Sequence, residues 1–440
     1  MSLARTLALG AAALALASAA GAQKHGSPKP KPVMEDMKPV PEKVPTGPVL
    51  TLQDSIALAS GEQPSVAAFE AEAEASEQAA VAARSLPDPQ LSAGIQNFDF
   101  TGPDAFSPTK DFMTMYTVGL MREQVRRSKR AAEAARLTAE ALVSRKQGSE
   151  RDRQIRRDVM LAWIDAVEAH EKALLLDRLA ANLHAGHLVM QEGIKTGLAT
   201  PATVLRMDSE IALTKGELEQ ARGDEDQARA RLARWIGAAA AARPLPESLP
   251  SIDPPKALPA DLLQLDTHPS LQVAEAQQEA AARQVEVARE DRKPDISWSV
   301  MLAFRPKFGQ MVGGTVSIPL QINRRNLQDR QIAEAQLRAD AAALRAEDTR
   351  RDLIQQYETA RADFEGADAE LNRISREAVP ALESAFNTAE ARFETGGGTA
   401  EEPFQIVQNY LETSVKEVET RGKRDRAIAN IIYVVGETGQ

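Results

Sequence analysis

The chain has 440 residues, 4% aromatic and 26% charged, and is dominated by Ala, Glu, Arg, Leu and Gln, the usage of long helices and coiled coils rather than of a mixed globular enzyme. Its net charge of −10 comes with no basic run to grip nucleic acid, and the absence of cysteine excludes disulfides, thiolate metal sites and a lipid-anchor thiol. Five histidines without a nucleophile motif, phosphate loop or metal signature exclude an enzyme and imply no cofactor.

Residues 1–22 read as a signal peptide: Arg5 gives a positive start, Leu7 to Ala20 is apolar, and Ala20-Gly21-Ala22 supplies a small-x-small cleavage pattern. The Pro- and Lys-rich stretch 23–50 reads as an extended tether. Beyond it no apolar run reaches the ~18 residues of a spanning helix. Any membrane insertion must therefore be made by a β-barrel, the other structure that satisfies every backbone hydrogen bond in lipid.

An internal repeat organises the remainder into 51–243 and 261–436, joined by a connector at 244–260. Pro87-Asp88 answers to Pro294-Asp295, Val118-Gly119-Leu120 to Val316-Ser317-Ile318, Arg126-Arg127 to Arg324-Arg325, and Gly197-Leu198-Ala199-Thr200 to Gly396-Gly397-Gly398-Thr399. In each half the spacing predicts a helix, a β-hairpin (88–124 and 294–322), a long helix (126–194 and 325–394), a tip turn and a final helix (201–236 and 402–436). Period-two alternation places Ile296, Trp298, Val300, Leu302 and Phe304 on one strand face, and Val312, Val316, Ile318 and Leu320 on the next. Segments of about ten such residues suit barrel strands, apolar toward lipid and small or polar toward a lumen.

A 3,4 spacing runs from Val159 through Ala162, Ala166, Ala169, Ala173, Leu176, Ala180, Leu183, His187, Met190 and Ile194, and a second from Leu353 through Tyr357, Ala360, Phe364, Ala367, Leu371, Ile374, Ala378, Ala381 and Ala385. These are knobs-into-holes seams. A further stripe, Trp163, Val167, His170 and Leu174, gives the first long helix a second neighbour. Each long helix spans roughly 100 Å at 1.5 Å per residue, so the shorter helices of each half run beside it as an interrupted column. Four strands cannot close a barrel in lipid, where about eight is the minimum, so the chain must oligomerise.

In the order and duplication of these features the chain resembles the TolC-type outer-membrane efflux proteins over Thr51 to Gly436. The resemblance rests on Thr51-Leu52-Gln53-Asp54-Ser55-Ile56-Ala57-Leu58, Leu86-Pro87-Asp88-Pro89, the paired hairpins, and Gly197-Leu198-Ala199-Thr200 followed by Val204-Leu205. It implies a mainly α fold, with a coiled-coil helical barrel below a β-barrel in outer-membrane lipid, to which each chain of a homotrimer gives four strands. It also implies a periplasmic adaptor (membrane fusion protein) docked at the tip, an inner-membrane pump of the resistance-nodulation-division or ABC type, and drug, metal or protein cargo.

The tip and gate then fall on Gly197, Leu198, Ala199, Thr200, Gly396, Gly397 and Gly398. Where the family carries an acidic Asp-Val-Leu-Asp-like stretch, this chain has Gln405-Ile406-Val407-Gln408, which leaves Glu401 and Glu402 as the carboxylates for a gate or simply as a favourable helix start. Pro380 is expected to bend the second long helix. His184, His187 and Met190 share a helix face near the tip, where packing is favoured over a soft-metal site. Met113, Met115 and Met121 are expected to alternate on one strand face as adaptable apolar surface, and the Arg126-Arg127 and Arg324-Arg325 pairs to face lipid headgroups. The rival reading is a secreted periplasmic coiled-coil scaffold or adaptor.

Overall fold

The structure, a computed structural model, describes residues 47–436 except 62, 104, 108, 197–198, 256–264 and 395–400. The signal peptide 1–22 and nearly all of the stretch 23–50 lie outside the described residues, as do part of the connector and both glycine turns. The first half holds α1 (Leu52–Ala59), α2 (Pro64–Ala83), β1 (Gln90–Gln96), β2 (Met115–Gln124), α3 (Arg127–Thr196), α4 (Pro201–Ile236) and α5 (Ala238–Ala241). The second holds a 3-10 turn (Leu265–Thr267), α6 (Pro269–Asp291), β3 (Ile296–Phe304), β4 (Met311–Ser317), α7 (Gln328–Arg373), a π turn (Ile374–Ala378), α8 (Val379–Glu394) and α9 (Glu401–Val435). Proline stands in the first turn of α2, α4 and α6, where its missing N–H costs nothing.

The unbroken α3 is the spine. Along it lie α2 and α4 from its own half and α6 and α9 from the other, and α7 closes the far side of α6 and α9. The 3,4 positions of α3 are buried as read from Val159 to Leu183, where Ala173, Leu176 and Leu183 meet Ile211 and Leu218 of α4 and Leu411 of α9. Nearer the tip Met190 is buried, His187 half-buried and Ile194 exposed, so the seam opens at its end. The second stripe is also packed. Trp163 and Val167 sit in the largest core cluster, and Trp163 Nε1 donates to the carbonyl of Leu50 at 3.0 Å. Leu50 is itself fully buried and donates its N–H to Pro244, so the chain is docked from that residue on rather than tethered through it.

The second long helix departs from expectation. Pro380 has no N–H, and its ring would press on the carbonyl four residues earlier; the helix widens by one residue ahead of it, with Val379 N–H bonded to Ile374. One inserted residue rotates everything beyond it. The seam positions expected at Ala381 and Ala385 are exposed, while Leu382 and Phe386 turn partly inward and Ala389 is buried.

The four strands form one antiparallel sheet in chain order. The register pairs Leu91 with Leu120, Leu120 with Val300, and Val300 with Gly314. One face thus carries Leu91, Ile95, Val118, Leu120, Val300, Leu302, Val312 and Val316, all exposed within the chain; Val312 and Val316 are 72% and 66% accessible. The other face carries Ser92, Gly94, Thr117, Gly119, Ser297, Ser299, Gly313 and Thr315. A Cβ on Gly119 would approach Ser92 Oγ to 2.8 Å, so a larger residue there would have to turn the Ser92 hydroxyl aside. β4 stops at Ser317, ahead of Ile318 and Leu320, where the following Pro319 offers no N–H to the ladder.

Two buried ionisable groups flank the α9 packing. His268 Nδ1 accepts from Ser270 N–H and its Nε2 meets the Tyr433 carbonyl at 3.1 Å, a neutral-ring arrangement; burial, then the nearby Arg153, lowers its pKa to about 4. Asp425 is fully buried with no partner for Oδ2 among the described residues, and burial raises it to about 6 against the pull of Arg424, Arg421 and Arg426. Between pH 4 and 6 the unfolded chain protonates His268 while the folded one refuses, so this group's stability is lost as pH falls. Folded Asp425 keeps a proton that the unfolded chain releases, so its contribution is lost as pH rises through the same window. Each slope is about 1.4 kcal/mol per pH unit at most, with opposite sign, and the two offset each other. Thermal midpoints of His268→Gln should therefore fall from pH 4 to 6, and those of Asp425→Asn should rise. Parallel profiles for the two variants would refute the assignment.

Candidate channel root and tip

Where the sheet feeds the helices, Arg126 is turned inward rather than to headgroups. Its backbone N–H and Nε donate to Asp295 Oδ1 at 3.0 and 3.2 Å, Nη1 meets Glu290 Oε2 at 2.7 Å, and Nη2 donates to the carbonyls of Glu290 and Lys293. Lys129 bridges Asp291 and Asp295 at 2.9 and 3.2 Å. Hydrogen bonds from Lys293 and Ser128, then Arg126, hold the Glu290 carboxyl down to about 2. For Asp295 burial opposes the charge, but Arg126 and Lys129 outweigh it and keep its pKa low. The expected headgroup contact fails for Arg126 because these carboxylates are closer and partly desolvated. Arg324 and Arg325 are exposed.

Of the three methionines expected on one strand, Met115 and Met121 share the small-residue face, whereas Met113 precedes β2 and donates its N–H to Asp111 in the loop. Met301 joins that face from β3, with its Sδ 3.7 Å from Gln96 Nε2.

At the first tip, Gly197 and Leu198 lie outside the described residues. Ala199 packs against Met190, Val204 and Met207, and Thr200 caps α4, its Oγ1 accepting from Thr203 N–H at 3.2 Å. At the second tip Gly396, Gly397 and Gly398 are outside the described residues. Glu401 opens α9, and Glu402 in the same turn is 3.2 Å from Arg392 of α8. Gln405 is exposed. Gln408 donates to Glu210 of α4 at 3.3 Å and to Glu412 at 3.1 Å, tying the two helical hairpins together. His184 is exposed and stacks on His187, whose Nε2 lies 3.0 Å from Asp208; Met190 is in the core beneath. Among the described residues no three His, Cys, Asp or Glu side chains are arranged to hold a metal.

Glu210, Glu412 and Asp208 were missed in the sequence. The signal available was only the antiparallel fold-back of α3 on α4, which sets Asp208 opposite His187; the approach of α9 to α4 had none.

Residues 263–437 match the family described as Outer membrane efflux protein. Among curated proteins, the cobalt-zinc-cadmium resistance protein CzcC of Cupriavidus metallidurans is 24% identical over 408 residues, 91% of this chain and 93% of that protein. The outer membrane protein VceC of Vibrio cholerae shares the fold with a TM-score of 0.69 and 18% identity, over 88% of this chain and 96% of that one. The CmeC outer membrane channel of Campylobacter jejuni gives 0.71 and 13%, over 89% of each chain.

The Thr200 cap yields a local test. Thr200→Ala should destabilise the start of α4 by about 1 kcal/mol, seen as roughly fivefold faster amide exchange over 202–205 with α4 beyond Glu219 unchanged. Equal acceleration along the whole helix would mean that the cap acts globally.

Proposed function

We propose, from the premise that this chain belongs to the outer membrane efflux protein family, that three copies close into one barrel and one helical tube. The chain is an outer-membrane efflux channel that extends into the periplasm. The observation that carries the trimeric reading is the sheet: four strands, apolar on one face, small and polar on the other, with both outer edges open.

In this reading the tube receives cargo from an inner-membrane pump through a periplasmic adaptor seated on the tip, around Gly197 to Thr200 and Gly396 to Gly398. The cargo class we favour is the metal cation. The relative named for cobalt, zinc and cadmium resistance spans nearly the whole chain, and the protein is net acidic at −10. A duct of that sign concentrates cations in a narrow passage. Glu401 and Glu402 form the selective ring at the second tip, and Arg392 holds Glu402 in place until the tip opens.

Planar-bilayer conductance tests the ring. Charge-neutral Glu401→Gln/Glu402→Gln channels should lose cation preference and block by divalent cations while remaining folded trimers. If both properties stay at the wild-type level, the two carboxylates serve only the start of α9.

A further inference from the structure

The internal repeat makes the arginine-carboxylate joint at the root informative about a contact that a single chain cannot contain. An offset of 198 residues carries Val118 to Val316 and Arg126 to Arg324, and one of 207 carries Asp88 to Asp295. Within the chain, β2 leads to Arg126, and Arg126 grips Asp295 at the start of the adjacent β3. By the same repeat, β4 leads toward Arg324, although within the single chain β4 ends at Ser317 and Arg324 stands in the turn ahead of α7. The strand that plays the part of β3 there is β1, which begins after Asp88 and pairs in this chain only with β2. Arg324 and Asp88 are both exposed, and neither side chain has an ion-pair partner among the described residues.

We infer that Arg324 of one copy pairs with Asp88 of the neighbouring copy, closing the β4 edge of the first onto the β1 edge of the second. This rests on the trimeric reading above. Transferring the β2–β3 register by the two offsets fixes which residues meet. Val118 opposite Leu302 becomes Val316 opposite Ile95, Leu120 opposite Val300 becomes Ile318 opposite Ala93, and Arg122 opposite Trp298 becomes Leu320 opposite Leu91. The transferred register keeps the faces matched, since it sets apolar against apolar and Ser317 against Gly94, whereas a slip of one residue would reverse every pair. It also gives a place to Ile318, Leu320, Leu91 and Ile95, which are 50%, 80%, 76% and 53% accessible in the single chain.

The transfer also shows what is left out. The positions equivalent to Glu290 and Lys129 are Ala83 and Leu327, so of the in-chain network only the Arg–Asp pair recurs. The recurrence of that one ion pair across the open edges points to a second copy of this chain as the occupant of the edge.

The cysteine-free sequence permits a direct test. Full-length Asp88→Cys/Arg324→Cys protein in outer membranes, treated with a short bis-maleimide, should give covalent dimers and trimers on denaturing gels. Either single variant should stay monomeric, because a heterologous ring brings Asp88 near Arg324 and not near another Asp88. Arg126→Cys/Asp295→Cys should cross-link only within a chain. In parallel, Asp88→Arg and Arg324→Asp should each lower the temperature at which detergent-solubilised trimers dissociate, and their combination should restore most of that shift. Trimers that neither cross-link nor recover in the double reversal would overturn the pairing and leave the trimer standing. A wild-type protein that light scattering finds monomeric in detergent, with its barrel strands formed, would overturn the trimer and the pairing with it.

Discussion

Lipid offers no partner to a backbone N–H or carbonyl, and that constraint governs everything else in this molecule. The sheet meets it internally along three ladders and leaves it unmet along the outer edges of β1 and β4. An apolar face that would be a liability in water becomes the membrane-facing wall once those edges are closed. The small and polar residues of the opposite face, such as Gly119 and Ser92, suit the wall of a lumen rather than a lipid contact.

The helical part is held by charged contacts as well as by hydrophobic ones. α9 is clamped to α3 by Arg421 on Glu171 and by Arg426 on Asp165 and Glu168, and to α7 by Arg424 on Asp368. Gly422 lies against Glu168, where a Cβ would fall on the carboxylate. An alanine-rich seam buries little area per residue, so planar, multidentate arginine pairs supply direction and register that the seam alone would leave loose. The same logic explains His170, whose Glu225 partner keeps a low pKa because His170 and Arg229 outweigh its burial.

How much of this was legible follows from the range of each signal. Strand faces and the α3 seam were readable because their periods are local and repeat many times; Val159, Ala166 and Leu176 are buried where the spacing put them. Pro380 announced a bend, but not that the helix would absorb it by widening ahead of the proline. That choice displaced the seam from Ala381 and Ala385 to Leu382 and Phe386. Arg126 was misread because its partners lie 164 and 169 residues away, and a pair of arginines after a strand looks the same whether it faces phosphate or a carboxylate. At the tip, Gln408 was singled out for the acid it lacks, yet it draws Glu210 and Glu412 around its amide.

In the proposed trimer, barrel and tube must also agree in girth. Strands stand about 4.8 Å apart, or somewhat over 6 Å around a barrel when tilted by about 40°, whereas packed helices are about 8–10 Å apart. Each half of the chain contributes two strands and two helical columns, so a tube with one column per strand is wider than the barrel it hangs from. Small side chains at the contacts are the available means of reducing the difference. The buried seam of α3 supplies them at Ala162, Ala166, Ala169, Ala173 and Ala180, and that of α7 at Ala360 and Ala367. What remains of the mismatch has to be taken up where strand becomes helix. That is where Arg126, Asp295, Glu290 and Lys129 concentrate their hydrogen bonds, so the polar joint belongs to the same geometric problem as the alanine seams below it.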